Sequence, residues 1–346
     1  LGAIASRLSQ HACVARDQNA TNCVMRSSCP QSERPVRQAP CRRHGADLTR
    51  LADAADPADI VNYVSKHDNE TLWDKLQYGL PADVSRQDRV RIQNVAATIP
   101  LLSQGVPFLQ MGGDMIRSKS MDRDSYDSGD WFNRVDFTQQ SNNWHVGLPI
   151  ADKNEGAWDT ISALFANPET AVGPEDIQFA SDVFNEILRI RTGSPLFRLS
   201  TGQDVIDRVG FHNIGQRQTQ GLIVMSIDDG TGLVDLDPAV DAIVVVINGS
   251  DTEHSAAVNT AAGFELHSIQ QSSVDMVVST ASFAGDTFTV PAYTTAVFVT
   301  VPANEIEERS RELAGQFETL RTQDARRLDA PGAHDLPHGD VAHRAR

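Results

Sequence analysis

The adjacent residues His67 and Asp68 are the strongest chemical signal in this sequence. A short β-branched and aromatic run, residues 60–65, leads directly into them and predicts a buried strand with a polar C-terminal end. Barrel enzymes carry their reactive groups at that end of their strands, where the βα loops converge. Adjacent His and Asp also occur in helix caps and turns, so a purely structural role stays open.

A second set of candidates lies in a long polar segment, residues 112–155, whose aromatic residues argue against simple disorder. An aromatic face can stack on an apolar ligand surface, while short polar side chains bind the polar groups beside it. The candidate binding residues in this segment are Asp130, Trp131, Asn133 and Arg134. The alternative is a loop folded around Trp131 as its own small core.

Metal sites are weakly indicated. The aspartates at 122, 124, 127 and 130 do not follow the ligand order of the hand-type calcium loop and lack its terminal Glu. All four cysteines fall in residues 1–50, without a C-x-x-C pair or a recognisable zinc spacing. We therefore predict no cofactor, and calcium stays an open alternative.

The elements that would position these residues begin with a helix. Ser85 is a candidate N-cap with Asp88 three residues later, an apolar face continues to Leu102, and Gly105 ends the helix. Pro100 should kink it. Residues 106–111 predict a second strand, which closes a β-α-β unit. Another helix is predicted from Pro174 to Thr192.

Beyond Pro195 the apolar periodicity changes from 3.6 to 2, which predicts an all-β sandwich. The predicted strands are residues 221–227, 242–248, 264–269, 274–280, 287–291 and 294–301. Residues 305–321 form a charged helical candidate at the start of the tail.

Charge and hydropathy exclude several classes of partner. The net charge is −16, although the first 50 residues hold eight arginines and three acids. An acidic body repels phosphate backbones, so nucleic acid is not an expected partner. No run approaches the roughly 20 apolar residues of a membrane helix, so no membrane is expected either. The basic head, residues 1–50, is predicted to be disordered or foreign to the fold, with a transit peptide as a further alternative.

The segment from Tyr63 to Asp74 resembles the His-Asp segment that follows the seventh barrel strand of pullulanases and limit dextrinases. The resemblance continues in the same order through residues 117–119, 124–134, 142–144 and 194–199. It implies a glycoside hydrolase of the α-amylase superfamily that debranches pullulan, limit dextrin, glycogen or starch at α-1,6 bonds with retention. It implies that Asp68 stabilises the transition state and that His67 binds the sugar hydroxyls. It also implies further sugar contacts at Asn69, Asp130, Trp131, Asn133 and Arg134.

The resemblance also implies a fold class of α/β plus all-β. Residues 58–193 would be the remnant of a (β/α)8 TIM barrel, about its last two βα units, and residues 195–302 an antiparallel β-sandwich. Residues 1–50 and 303–346 would flank them. In the resembled family the nucleophile and general acid follow the fourth and fifth strands, so we expect this chain to lack both and to be inactive alone.

Two other interpretations stay open. In the first, the chain is a non-catalytic glucan-binding or interaction protein derived from the same family. In the second, its head is a metal-binding regulatory module. The compartment is also open: bacterial-like members would be extracellular or periplasmic, and plant-like members plastidic.

Overall fold

A computed structural model describes residues 55–230, 232–259 and 263–300. The basic head and the charged helical tail predicted from the sequence lie outside these residues. Helices and strands are numbered below in chain order within the described part.

Helices dominate the first half of that part. The two long ones are those predicted at Ser85 and Pro174, and short helices and 3₁₀ turns connect them. The helices are α1 (Leu72–Gly79), α2 (Arg86–Leu102), α3 (Asp130–Asn133), α4 (Ala151–Asn154), α5 (Trp158–Ala166), α6 (Pro174–Gly193), α7 (Gly202–Arg208) and α8 (Ser268–Gln271).

Strands dominate the second half. They are β1 (Val61–Asn62), β2 (Val106–Pro107), β3 (Val209–Phe211), β4 (Leu222–Asp228), β5 (Ala242–Asn248), β6 (His254–Ala257), β7 (Phe264–Leu266), β8 (Ser282–Ala284), β9 (Thr287–Val290) and β10 (Thr294–Thr300). Strands β1 and β2 pair in parallel. The others form a five-stranded sheet, β3-β4-β5-β10-β7, and a three-stranded sheet, β6-β9-β8, both antiparallel.

Helix α2 begins and ends where local chemistry requires. The Ser85 hydroxyl accepts a hydrogen bond from the Asp88 N–H at 3.1 Å, which satisfies one free donor of the first turn. After the helix, Gly105 has a φ of +97°, and a Cβ there would lie 2.9 Å from the carbonyl oxygen of Ile60. Only glycine fits this close approach, and it turns the chain into β2 beside β1.

The five-stranded sheet is covered on both faces. Val95 and Ile99 of α2 and Ile187 of α6 pack with Val245 of β5 in one apolar cluster. The opposite face packs on the three-stranded sheet through a second cluster centred on Phe288. Double coverage explains why six of the seven residues of β5 are buried, since a strand with one wet face would alternate. The helices and the β region therefore share one core.

Three strand predictions are corrected. The predicted strands at 60–65 and 106–111 shrink to two residues each, and the side chains of Val61 and Phe108 are about half exposed. Within the described residues these strands pair only with each other, so the backbone ladder ends early. The third strand, at 264–269, stops at Leu266, where α8 follows.

The predicted strand at 274–280 was wrong. Side chains bind the backbone N–H groups that a ladder would need: the Glu186 carboxylate accepts from Val274, and Asp275 accepts from Val277, both at 3.0 Å. The segment instead ends in a 3₁₀ turn, Val278–Thr280. Several short elements were not predicted, because their formation depends on neighbouring parts of the fold. They are strands β3, β6 and β8 and helices α1, α3, α4, α5, α7 and α8.

Candidate functional site

The parallel pairing of β1 and β2 brings the chain segments that follow these two strands to the same end of the pair. The Val106 N–H bonds the Ile60 carbonyl, and the Phe108 N–H bonds the Asn62 carbonyl, both at 2.8 Å. Just beyond the ladder the Ser65 hydroxyl donates to Gln110 Oε1 at 2.5 Å. The carboxyl ends of β1 and β2 therefore open onto the same side, where His67 and Asp68 follow β1.

Both residues of the His-Asp pair face solvent. The side chain of His67 is 84% exposed and that of Asp68 is 56% exposed, with His67 Nε2 3.3 Å from Asp68 Oδ1. The Lys66 ammonium donates to Asp68 Oδ2 at 2.7 Å. This hydrogen bond, aided by the nearby charges of Lys66 and Lys119, lowers the pKa of Asp68 below its usual value. Asp68 is therefore an accessible carboxylate that stays ionised at neutral pH.

A buried support lies beneath this loop. Lys119 is only 2% exposed, and its ammonium donates to the carbonyl oxygen of His67 at 3.3 Å. The fully buried Asp74 of α1 accepts the Ser118 hydroxyl at 2.5 Å and the Lys119 N–H at 2.8 Å. Burial raises the pKa of Asp74 to about 6. The position of the His67 carbonyl thus depends on a polar network inside the protein.

Residues 117–119, which include Ser118 and Lys119, also contact the loop that carries the second set of candidates. Arg117 donates to the carbonyl of Asn133 at 2.6 Å and to the carbonyl of Met111, just after β2, at 3.3 Å. Its stem packs on Gly112, where a Cβ would lie 2.9 Å from Arg117 Cδ and where φ is +81°. Burial lowers the pKa of Arg117.

The candidates in this second set differ in whether their side chains are exposed and available to bind a ligand. Asp130 opens α3 on the surface. Trp131 is 65% exposed, and its indole N–H donates to the Val146 carbonyl at 2.7 Å, which fixes the ring plane. The Arg134 guanidinium is mostly exposed and lies 3.8 Å from Asp136. Asn133 differs: its amide donates to the carbonyls of Ser125 and Gly129 and accepts the Ser125 hydroxyl. Its side chain is therefore occupied within its own loop.

The structure thus links the two sets through one three-residue segment. From the sequence, residues 117–119 were recognised only as part of the family resemblance, and no role was predicted for Asp74. Asp74 follows Thr71 by three residues in a capping pattern, which is typical of an exposed helix start, so no local signal indicated its burial.

No group of three or more His, Cys, Asp or Glu side chains is placed to hold a metal ion within residues 55–230, 232–259 and 263–300. The carboxylate of Asp122, one of the aspartates considered for calcium, accepts hydrogen bonds from Ser128, Asn154 and the Asp124 N–H. These contacts hold the polar loop together. In the same part of the chain no helix is long and apolar enough to cross a membrane.

Comparisons with known proteins show which family the chain resembles. Residues 139–301 match the family described as α-1,6-glucosidases, pullulanase-type, C-terminal. Residues 139–301 therefore correspond to the C-terminal domain of the pullulanase-type α-1,6-glucosidases. It is 44% identical to the chloroplastic pullulanase 1 of Arabidopsis thaliana over 262 residues, and 41% identical to the pullulanase of Klebsiella pneumoniae over 249 residues. These alignments cover 73% and 70% of this chain.

The match to solved pullulanases extends beyond the C-terminal domain. The apo pullulanase of Klebsiella pneumoniae superimposes on 73% of the chain with a TM-score of 0.69 and 40% identity. A maltotriose complex of the Klebsiella pneumoniae enzyme matches 76% of the chain with the same score. The predicted resemblance to pullulanases, a family of glycoside hydrolases, is confirmed. The chain spans 27% and 23% of the lengths of the two curated pullulanases.

Proposed function

We propose that this chain is the C-terminal part of a retaining pullulanase-type debranching hydrolase, in which Asp68 stabilises the transition state and His67 binds the sugar cleaved from the branch point. One observation carries the proposal. An exposed, ionised Asp68 with His67 beside it follows a parallel strand in a chain whose relatives are pullulanases. Residues 117–119 connect this His-Asp pair to the aromatic loop, residues 130–134.

The chemistry fits a carboxylate held in this way. Positive charge develops on the sugar ring during cleavage of the glycosidic bond, and a fixed anion favours that state over the neutral ground state. The low pKa of Asp68 keeps it charged, and the hydrogen bond from Lys66 fixes one of its oxygens. His67 Nε2 and the amide of Asn69 are the groups that would bind sugar hydroxyls. Asn69 has a φ of +59°, which turns its backbone at this point.

The aromatic loop is the proposed glucan-binding surface. The exposed ring of Trp131 would stack on a sugar face, and Asp130 and Arg134 would bind hydroxyls beside it. Asn133 would act by holding this loop, because its amide already bonds Ser125 and Gly129. The substrate class that suits neutral stacking and hydroxyl contacts is a branched α-glucan such as pullulan, limit dextrin, glycogen or starch.

The finer fold assignment belongs to the same proposal. We assign β1, α2 and β2 to the last βα units of a (β/α)8 barrel, residues 58–193, and the antiparallel sheets to a β-sandwich, residues 195–302. The exposed side chains of Tyr63, Val106 and Met111 support the first assignment, since parallel strands are normally covered on both faces. The apolar contact between the two antiparallel sheets supports the second.

Retaining hydrolysis needs two carboxylates about 5 Å apart, one as nucleophile and one as general acid. We assign these to the part of the pullulanase fold that the alignments of this chain do not cover. The chain as given would therefore bind α-glucan without cleaving it. This property would also suit the glucan-binding alternative, but the half-exposed apolar faces of β1 and β2 favour a part of a larger barrel.

Calorimetric titration of the purified chain with maltotriose, alongside reducing-sugar release from pullulan, tests the proposal. We expect binding without release, and an affinity about tenfold weaker in Asp68→Ala, because a charge-assisted contact is lost. The matched control is Asp207→Ala, which removes an exposed carboxylate of α7. Equal binding by all three proteins would remove Asp68 from the site, and pullulan cleavage would show that the chain supplies its own nucleophile and acid.

A further inference from the structure

We infer that Lys119 and Asp74 are positioning residues of the sugar site: Asp74 seats Lys119, and Lys119 holds the peptide between His67 and Asp68 in place. The inference rests on the proposed function, because it assigns a purpose to the loop that these two residues support. Neither residue is expected to touch substrate.

The first step is the contact between Lys119 and the loop. His67 and Asp68 are both largely exposed, so their side chains have few contacts of their own to fix them. The Lys119 ammonium reaches the backbone carbonyl of His67 from the interior. A charged donor to a carbonyl is stronger than a neutral one, and it acts on the peptide whose orientation sets both side chains. The loop is therefore anchored through its backbone.

The second step is the seating of Lys119. Its N–H and the neighbouring Ser118 hydroxyl donate to separate oxygens of the buried Asp74 carboxylate. The Ser118 oxygen in turn accepts the Ser120 N–H at 2.8 Å, and the Ser118 N–H donates to the Asn142 carbonyl at 2.7 Å. Helix α1, which carries Asp74, is fixed by Trp73, fully buried in a core cluster with Val90 and Ile116. The support is therefore rigid from helix to loop.

The third step is the dependence of this support on charge. The ionised Asp74 accepts hydrogen bonds at both oxygens and attracts the Lys119 ammonium, whereas the protonated acid has one oxygen that must itself donate. Burial raises the pKa of Asp74 to about 6, so the carboxylate changes state in mildly acidic solution. The other ionisable groups around this network are Glu70, Tyr78, Arg117, Asp122 and Arg123.

Hydrogen exchange of the backbone at residues 66–69, measured by mass spectrometry on the full chain, tests the inference without any ligand. We expect exchange to rise about tenfold in Lys119→Met and to return most of the way in Lys119→Arg, which retains a charged donor. Lys75→Met is the matched control, because Lys75 is exposed and lies beside Asp74 on α1. Unchanged exchange in a folded Lys119→Met protein would overturn the inference.

A pH series separates positioning from a general loss of stability. In the wild type, exchange corrected for its intrinsic pH dependence should increase in this loop as the pH falls from 7 to 5. In Asp74→Asn the loop should be mobile at both values, so the difference between the two proteins isolates Asp74. A parallel slope in both would contradict its role.

Maltotriose affinity provides the functional readout, with about a tenfold loss expected in Lys119→Met and little change in Lys75→Met. If the wild type does not bind maltotriose, the proposed function fails, while the exchange data still decide whether Lys119 holds the loop.

Discussion

The five-stranded sheet and the segments around the β1–β2 pair, residues 60–65 and 106–111, both contain β-branched and aromatic residues, yet their surroundings differ. Val245 in the middle of β5 is 1% exposed, because helices cover one face of its sheet and a second sheet covers the other. Val61 of β1 is 54% exposed, and Val106 of β2 is 44% exposed. Strand composition therefore predicted where strands start, and the layers packed on them determined how far they extend and what they contribute to stability.

The largest expected effect is in the covered region. Phe288 is fully buried, and its ring centroid lies 4.6 Å from that of Phe283, 5.0 Å from that of Phe298 and 5.3 Å from that of Phe264. Phe288→Ala should lower the free energy of unfolding by about 3–5 kcal/mol, because it removes apolar burial and leaves a cavity. Urea denaturation followed by circular dichroism measures this. A loss below about 1 kcal/mol would mean that the two sheets do not share a tight core.

An intermediate effect is expected from Asp74, a buried charge beneath the exposed edge. Its pKa rises from 3.8 to about 6 on folding, so the folded chain binds the proton more tightly than the unfolded one. Stability from this group is fully present below about pH 4 and is lost as the pH rises through 6, on the order of 2–3 kcal/mol in total. The difference in the free energy of unfolding between wild type and Asp74→Asn, measured by urea denaturation from pH 4 to 7, should show this decline.

The control for that series is Asp207→Asn, an exposed carboxylate on α7. A difference between wild type and Asp74→Asn that stays constant across the pH range would contradict the raised pKa.

The smallest stability effect is expected at the uncovered pair. Phe108 is 47% exposed and contacts Tyr63 edge to face at 6.4 Å. Phe108→Ser should lower the free energy of unfolding by about 1 kcal/mol, since only about half of the side chain is buried. It should also affect association, because exposed apolar strands promote edge-to-edge contacts. Light scattering at rising concentration should show less aggregation of Phe108→Ser than of wild type. Equal aggregation of the two proteins would mean that another surface mediates association.

Sequence reasoning succeeded where the signal was local. Ser85 caps α2 as expected, and α6 starts at the predicted Pro174 and ends one residue later than predicted. The strands at 242–248 and 287–291 were also placed to within a residue. It failed at residues 274–280, where Glu186 of a distant helix binds a backbone N–H that a strand would have used. No pattern within seven residues records a partner 88 positions away.

The site divides along the same line. By itself the sequence determined the types and order of the candidate residues, including an adjacent His67 and Asp68 after a strand and an aromatic polar loop. Only the tertiary structure shows that Lys119 lies beneath His67 and that Asp74 is buried. It also shows that the amide of Asn133 is hydrogen-bonded within its own loop. The physical reason is that helix starts and strand periods depend on neighbouring residues. The burial of a charge and the hydrogen bonds it then requires depend on chain segments that only folding brings together.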